Sequence, residues 1–354
     1  MCRWFAYISP IEPSLLSDVL ITPANSISKQ CSEHYLPGLL PYEKEKELDH
    51  SSDALLRMRN SLLNMDGLGI AWYTNAAKSY IKSVDGPRPA LYKSQSPPIN
   101  DFNFRSLCEN TETHCVFAHI RASSGSTVTQ VNSHPFVFGR HVFMHNGVIS
   151  NFSTIRREMT NMISFDAYCN IFGSTDSEHA AALYITNLTK NGTKDSWQNS
   201  YPLADMLDAM TQTVIQIMML QKFKQPGAER TPNSLNFCTT DGTKMLAIRF
   251  RNHAAQQPPS LYWSEFAGRT LNGKYPGNPD SADMVNEQAI FLDDERIGKH
   301  TIIASEPTTY DEKEWHLIGK NCALTVDEEG VETEVPIEYD EGLNAEDPND
   351  PAKK

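Results

Sequence analysis

The chain opens "MCRWFAYISP", with a cysteine directly behind the first methionine. Removal of Met1 would leave Cys2 with a free α-amine beside its thiol. An α-amine titrates near neutrality, so one residue would hold both a nucleophile and its proton acceptor. Three further stretches supply what such a thiol needs: "AHIRASSG" (118–125), "HNGVISNF" (145–152) and "STDSE" (174–178). Thiolate attack on a carbonyl develops an oxyanion that fixed donors must meet, and the Asn146 side-chain amide and the Gly147 backbone N–H are candidates. A substrate α-carboxylate calls for a guanidinium fork, which Arg121 offers. An α-ammonium calls for a carboxylate, which Asp176 offers at a helix start, where an anion is accommodated. Each stretch alone is commonplace. An arginine past a strand end usually pairs on the surface, "HNG" usually marks a turn, and an acidic residue in a first helical turn usually complements the dipole. Together they select an amide bearing a γ-glutamyl head.

These residues need elements to carry them. In "CRWFAYI", Trp4 and Ala6 fall on the Cys2 side of a strand, while Arg3, Phe5 and Tyr7 take the other. Strands are also expected at "CVFAHI" (115–120), "RHVFMH" (140–145), "HTIIAS" and an apolar run near 322–326. "SLNFCTTDGTKMLAIRF" reads as a hairpin, with Asp241-Gly242 at its turn. In "TDSEHAAALYI", Thr175 followed by Glu178 makes a capping box ahead of a helix. A second helix is expected over about 203–221, its methionine-rich stripe serving as core. Residues 22–62 turn polar and read as an inserted loop with a short helix at 51–63. Strands at both ends and helices in the middle suit an α+β layered sandwich rather than a parallel βαβ sheet.

Composition limits the alternatives. With 354 residues and 40% apolar content, the chain can bury a large core. It shows no secretory leader and no apolar run of membrane-spanning length, so a soluble, cytoplasmic protein is expected, without membrane association. Seven cysteines without CxxC pairs indicate neither a disulfide framework nor a zinc ribbon. Residues 327–354 hold eleven acidic residues against two lysines and so carry most of the net charge of −13. No basic stripe points to nucleic acid. One domain is expected over 2–337, followed by an acidic, disordered tail over 338–354.

Cys2, "DGLG", "HIR", "NSHPF", "HNG" and "TDSE", in this order, resemble the class II glutamine amidotransferase domain of the N-terminal-nucleophile hydrolases. "MCR", "LITPANSISKQ", "NMDGLGIAWY", "FAHIRAS", "GSTDSE" and "IIASEPTT" narrow the likeness to a standalone branch that includes the ergothioneine-pathway γ-glutamyl hydrolases. Within that branch the chain looks most like the fungal Dug-type glutathione-degradation subunits. The likeness spans residues 2–326. It implies a four-layer αββα sandwich of two antiparallel sheets, with Cys2 as nucleophile and its α-amine as proton acceptor. It further implies Asn146 and Gly147 as the oxyanion hole, Arg121 on the glutamyl carboxylate and Asp176 on the α-amine. By the same resemblance Ser124 is a hydroxyl touching the carboxylate, and Asn64, Asp66, Gly67 and Gly69 shape the loop beneath the nucleophile. A tight turn entering a strand explains those last four equally well. No cofactor is implied, and a peptidase-like partner subunit is.

Rival readings differ in class. Among the eleven histidines, His141 and His145 lie four apart with His119 and His134 nearby, a possible metal site that lacks carboxylates or cysteines at matching spacing. A degenerate fold serving as scaffold has no physical need for all five motif residues. Within the enzyme class, the alternatives to glutathione hydrolysis are a glutaminase feeding ammonia to a synthetase and a γ-glutamyl hydrolase of ergothioneine-type biosynthesis. The chain offers no second domain for an acceptor substrate, so hydrolysis releasing glutamate and cysteinylglycine is expected.

Overall fold

The computed structural model describes residues 2–31, 66–81, 85–122, 127–224, 230–267, 299–309 and 312–345. The short helix expected at 51–63, Asn64 and Ser124 lie outside the described residues. The strands are β1 (Arg3–Ile8), β2 (Ser14–Leu15), β3 (Leu68–Thr74), β4 (Arg88–Ser94), β5 (Glu112–Thr113), β6 (Cys115–Ile120), β7 (Phe136–Phe138) and β8 (His141–Val148). The later ones are β9 (Ser234–Thr240), β10 (Met245–Arg249), β11 (Tyr262–Ser264), β12 (Thr301–Ala304), β13 (His316–Leu317), β14 (Cys322–Val326) and β15 (Glu332–Pro336).

Among the described residues, one sheet of seven strands runs β13-β11-β12-β1-β6-β3-β4 and a second of six runs β15-β14-β10-β9-β8-β7. Every pairing within them is antiparallel. The alternation expected of β1 sorts its side chains between two cores. Trp4, Ala6 and Ile8 enter the layer between the sheets, with Phe117, Val142, Met144 and Cys238. Phe5 and Tyr7 face outward, onto a layer containing α1 (Leu16–Leu20) and α2 (Phe102–Glu109). Helices α3 (Phe152–Met162), α4 (Phe165–Cys169), α5 (Asp176–Leu188) and α6 (Leu203–Lys224) cover the second sheet. The result is the expected α+β fold, four layers deep in the order αββα. No helix among the described residues is long and apolar enough to cross a membrane.

Three local expectations need correction. Asn146 and Gly147 do not form a turn, because β8 continues through them, with Asn146 opposite Asn236 and Gly147 opposite Leu235 of β9. Gly147 has φ of +152°, and a Cβ there would lie 1.9 Å from the Ser234 carbonyl oxygen, so the position admits only glycine. Half of the capping box is present: the Thr175 hydroxyl accepts from the Glu178 N–H, but the Glu178 carboxylate turns to the N–H groups of Phe172 and Gly173. The acidic tail does not begin at 338. Ile337, Leu343 and Ala345 are buried, and the Ala345 N–H donates to the Asn252 carbonyl. Acidic residues in this stretch alternate with apolar ones that seal the helical layer, so its net charge conceals a packed segment. Residues 346–354 lie outside the described set.

Candidate active site

Cys2 precedes β1 at one edge of the inter-sheet layer and is half-buried. Its sulfur lies 3.3 Å from the Ala122 carbonyl oxygen and accepts the Ala122 N–H at 3.2 Å. Burial pushes the thiol up from its ordinary range; the Ala122 N–H and the Arg121 guanidinium pull it back, and Asp176 adds to the rise. Arg121 and Asp176 therefore act on the sulfur electrostatically although 55 residues separate them in sequence. A thiol raised in this way needs a nearby base to become a nucleophile.

Arg121 follows β6, which pairs with β1 from Arg3↔Ile120 to Ile8↔Cys115, and this register brings Arg121 beside Cys2. The arginine is 3% exposed, and its Nη1 donates to the Thr127 carbonyl at 3.1 Å. Burial lowers the guanidinium pKa, while Cys2 and Asp66 raise it. The Asp66–Gly67 segment clasps the backbone of Arg121: the Asp66 N–H donates to the Arg121 carbonyl and the Arg121 N–H to the Gly67 carbonyl. Gly69 lets β3 pass close to the segment that leads into β7, since a Cβ would lie 1.8 Å from the His134 carbonyl oxygen. In this structure, then, the "DGLG" residues support the arginine.

Asp176 opens α5. One carboxylate oxygen accepts the Ile149 N–H at 2.8 Å, and the other accepts the N–H and hydroxyl of Ser177. The Ser177 hydroxyl also meets His145 Nδ1 at 2.8 Å, and His145 Nε2 lies 2.9 Å from the Ser234 carbonyl oxygen. Sequence reasoning passed over this support from Ser177 and His145, whose signal was their proximity to "TDSE" and "HNG". Asn146 is 2% exposed; its Nδ2 lies 3.2 Å from the Ser305 hydroxyl, and its Oδ1 has no partner among the described residues. Gly147 is exposed.

Three of the histidines considered as metal ligands, His119, His141 and His145, meet a backbone carbonyl through one ring nitrogen, while neither ring nitrogen of His134 has a partner among the described residues. His141 Nε2 meets the Asn199 carbonyl, His119 Nε2 meets the His145 carbonyl, and the rings of His119 and His134 pack 4.0 Å apart. Among the described residues no group of three or more His, Cys, Asp or Glu is arranged to hold a metal ion. A thiol, an amide donor, a guanidinium and a carboxylate, carried at the ends of β1, β8, β6 and α5, can grip both charges of an amino-acid head group and attack a carbonyl attached to it.

Comparison with known proteins agrees with this chemistry. A family model described as glutamine amidotransferases class-II matches residues 46–221. The chain is 31% identical over 335 residues to the probable glutamine amidotransferase DUG3 of Saccharomyces cerevisiae, covering 94% of this chain and 83% of the other. It is 27% identical over 146 residues to a probable glutamine–fructose-6-phosphate aminotransferase of Acanthamoeba polyphaga mimivirus, covering 40% of this chain and 21% of that one. Among solved structures, a glutamine aminotransferase class-II domain protein from Silicibacter pomeroyi shares the fold with a TM-score of 0.56 at 19% identity, covering 95% of this chain and 99% of that one. The chain belongs to the class II glutamine amidotransferase family, and within it resembles DUG3 over nearly its whole length.

Proposed function

We propose, from membership of this family, that the chain hydrolyses a γ-glutamyl amide bond, that of glutathione, and acts in glutathione degradation in the cytoplasm beside a peptidase-like partner subunit. The observation that carries the reading is that the β1–β6 register sets Arg121 beside Cys2 while Asp176 accepts the Ile149 N–H just past Asn146 and Gly147, so that two opposite charges flank one strand end. A glutamyl head has one carboxylate and one ammonium for those two groups, and its γ-carbonyl is the reacting carbon. The resemblance to Dug-type subunits supports glutathione over glutamine.

In this reading, loss of Met1 exposes the Cys2 α-amine, which takes the thiol proton. The sulfur forms a bond to the carbon of the γ-carbonyl, and the carbonyl electron pair moves to oxygen, where the Asn146 amide and Gly147 N–H donate. Collapse of the intermediate breaks the C–N bond, and cysteinylglycine leaves with the proton from the α-ammonium. Water, deprotonated by the same amine, then cleaves the thioester, releasing glutamate and restoring the thiol. Burial raises the thiol pKa, so the α-amine must do the work of ionisation.

The test is an intact-mass measurement with parallel incubations of the full chain with glutathione, glutamine and a γ-glutamyl amide bearing a bulky leaving group. Expected are loss of Met1, one adduct on Cys2 from the alkylating glutamine mimic 6-diazo-5-oxo-norleucine, and turnover of glutathione ahead of glutamine. Preference for glutamine would favour ammonia supply to a synthetase. A processed Cys2 that resists the reagent would favour a scaffold.

A further inference from the structure

Ser305 joins the strand bearing the nucleophile to the residue expected to stabilise the oxyanion. It follows β12, the antiparallel neighbour of β1, and is 2% exposed. Its backbone N–H donates to the Trp4 carbonyl at 2.9 Å, and its hydroxyl accepts the Trp4 N–H at 3.1 Å, so both main-chain groups of Trp4 end on this serine. The same hydroxyl lies 3.2 Å from Asn146 Nδ2, on the opposite sheet and 159 residues away in sequence. The adjoining Glu306 is ion-paired with Arg3 at 2.7 Å, which fixes the segment to β1 a second time.

Which end of the Asn146 amide is left unpaired decides how it must face to serve an oxyanion. The two ends of a side-chain amide have the same shape, so its orientation follows from the bonds each end can make. With Nδ2 toward Ser305, the hydroxyl accepts twice, its own proton goes unused, and the buried Asn146 Oδ1 has no partner among the described residues. An acceptor left over in this way can take no hydrogen bond from an oxyanion, which is itself an acceptor. With the amide reversed, Ser305 accepts from Trp4 and donates to Asn146 Oδ1. The atom then left without a partner among the described residues is Nδ2, a donor, and a donor is what an oxyanion needs.

We propose that Ser305 is a positioning residue: its hydroxyl holds Asn146 by Oδ1, so that the amide nitrogen serves the oxyanion formed at the carbonyl attacked by Cys2. The assignment rests on the γ-glutamyl hydrolase reading. The serine touches no reacting atom, and its effect passes through Asn146. Removing it should lower kcat with little change in KM, since the oxyanion exists only in the transition state.

The experiment is a double-mutant cycle on the full chain with a γ-glutamyl substrate, after intact mass has confirmed loss of Met1. Ser305→Ala is expected to lower kcat about 10-fold, as for loss of one hydrogen bond at this position. Asn146→Ala is expected to lower kcat by roughly 10²–10³-fold. The double variant should fall no further than Asn146→Ala alone, because the hydroxyl would have nothing left to hold. Ser305→Thr, which keeps the hydroxyl, should restore most of the rate, and serves as the readout with Asn146→Ala if Ser305→Ala does not fold. An unchanged kcat in Ser305→Ala, full multiplication of the two losses, or no rescue by threonine would overturn the assignment while the hydrolase reading stands. Absence of γ-glutamyl turnover in the unaltered protein would overturn both.

Discussion

The two ends of β1 treat buried polar groups in opposite ways. Near Ile8, at the rim of a cavity of about 410 Å³ bordered by Tyr73, Arg140, Ser200 and Glu328, each charge is answered from within the chain. The Tyr73 hydroxyl reaches the Arg140 and Thr240 carbonyls. Asp241 binds Ser200, Thr243 and the Lys244 N–H, and Lys244 Nζ bonds Ser200 and Glu328. Burial alone would raise the Asp241 carboxyl, but the Ser200 hydrogen bond, Arg140, Thr243 and Lys244 outweigh it and hold the pKa at about 2. At the Cys2 end the thiol pKa is pushed up and one end of the Asn146 amide has no partner among the described residues. A closed network stabilises the fold, whereas groups left open are available to a substrate.

Separating activity from stability would test that contrast. The largest effect is expected from Cys2→Ala, which should abolish γ-glutamyl turnover while leaving the urea unfolding midpoint within experimental error, because a half-buried thiol adds little packing. Loss of folding in this variant would show that the site end also supports the structure.

Asp241→Asn should do the reverse. It leaves Arg140 and Lys244 without their buried counter-charge, and stability should fall by about 3–5 kcal/mol in urea unfolding. The kcat of the folded fraction should be unchanged, since the six residues of β1 place the network ~20 Å from Cys2. A matched loss of kcat would mean that the two ends are coupled.

Arg121→Lys keeps the charge but loses the fork, and KM for the glutamyl substrate should rise about 10-fold with kcat nearly preserved. Unchanged kinetics would remove Arg121 from the carboxylate role. A pH effect is shared by both ends. Burial lowers His119, near the site, to about 3 and His141, near the network, to about 4. Both stay neutral when folded while the unfolded chain gains protons below about pH 6.5. Their stabilisation is complete above that pH and is lost as pH falls toward 4 and then 3, at about 1.4 kcal/mol per histidine per unit. Urea unfolding at pH 7, 6 and 5 should show the decline, and His141→Gln should make it shallower.

Much of this was legible in residue order. The alternation of β1, the bounds of β6, the hairpin around Gly242 and the Thr175 cap all follow from periodicity or from one residue's preferences, and all are present in the fold. Helix α3 was missed because only Ile155 and Met159 bury on a polar segment, too few apolar positions to announce a period. The segment after 338 was misread because charge was weighed over Ile337, Leu343 and Ala345, whose burial depends on distant partners.

The sequence by itself determined the layered α+β class and named the candidates, Cys2 as nucleophile, Arg121 and Asp176 for a glutamyl head and Asn146 with Gly147 for an oxyanion, because residue type and short-range spacing carry that chemistry. Only the tertiary structure decided what holds these groups. Asp66 and Gly67 clasp Arg121, Ser177 links Asp176 to His145, and Ser305 reaches Asn146 across 159 residues. Such contacts depend on strand register and on how two sheets stack, and neither is written in the local pattern of any one segment.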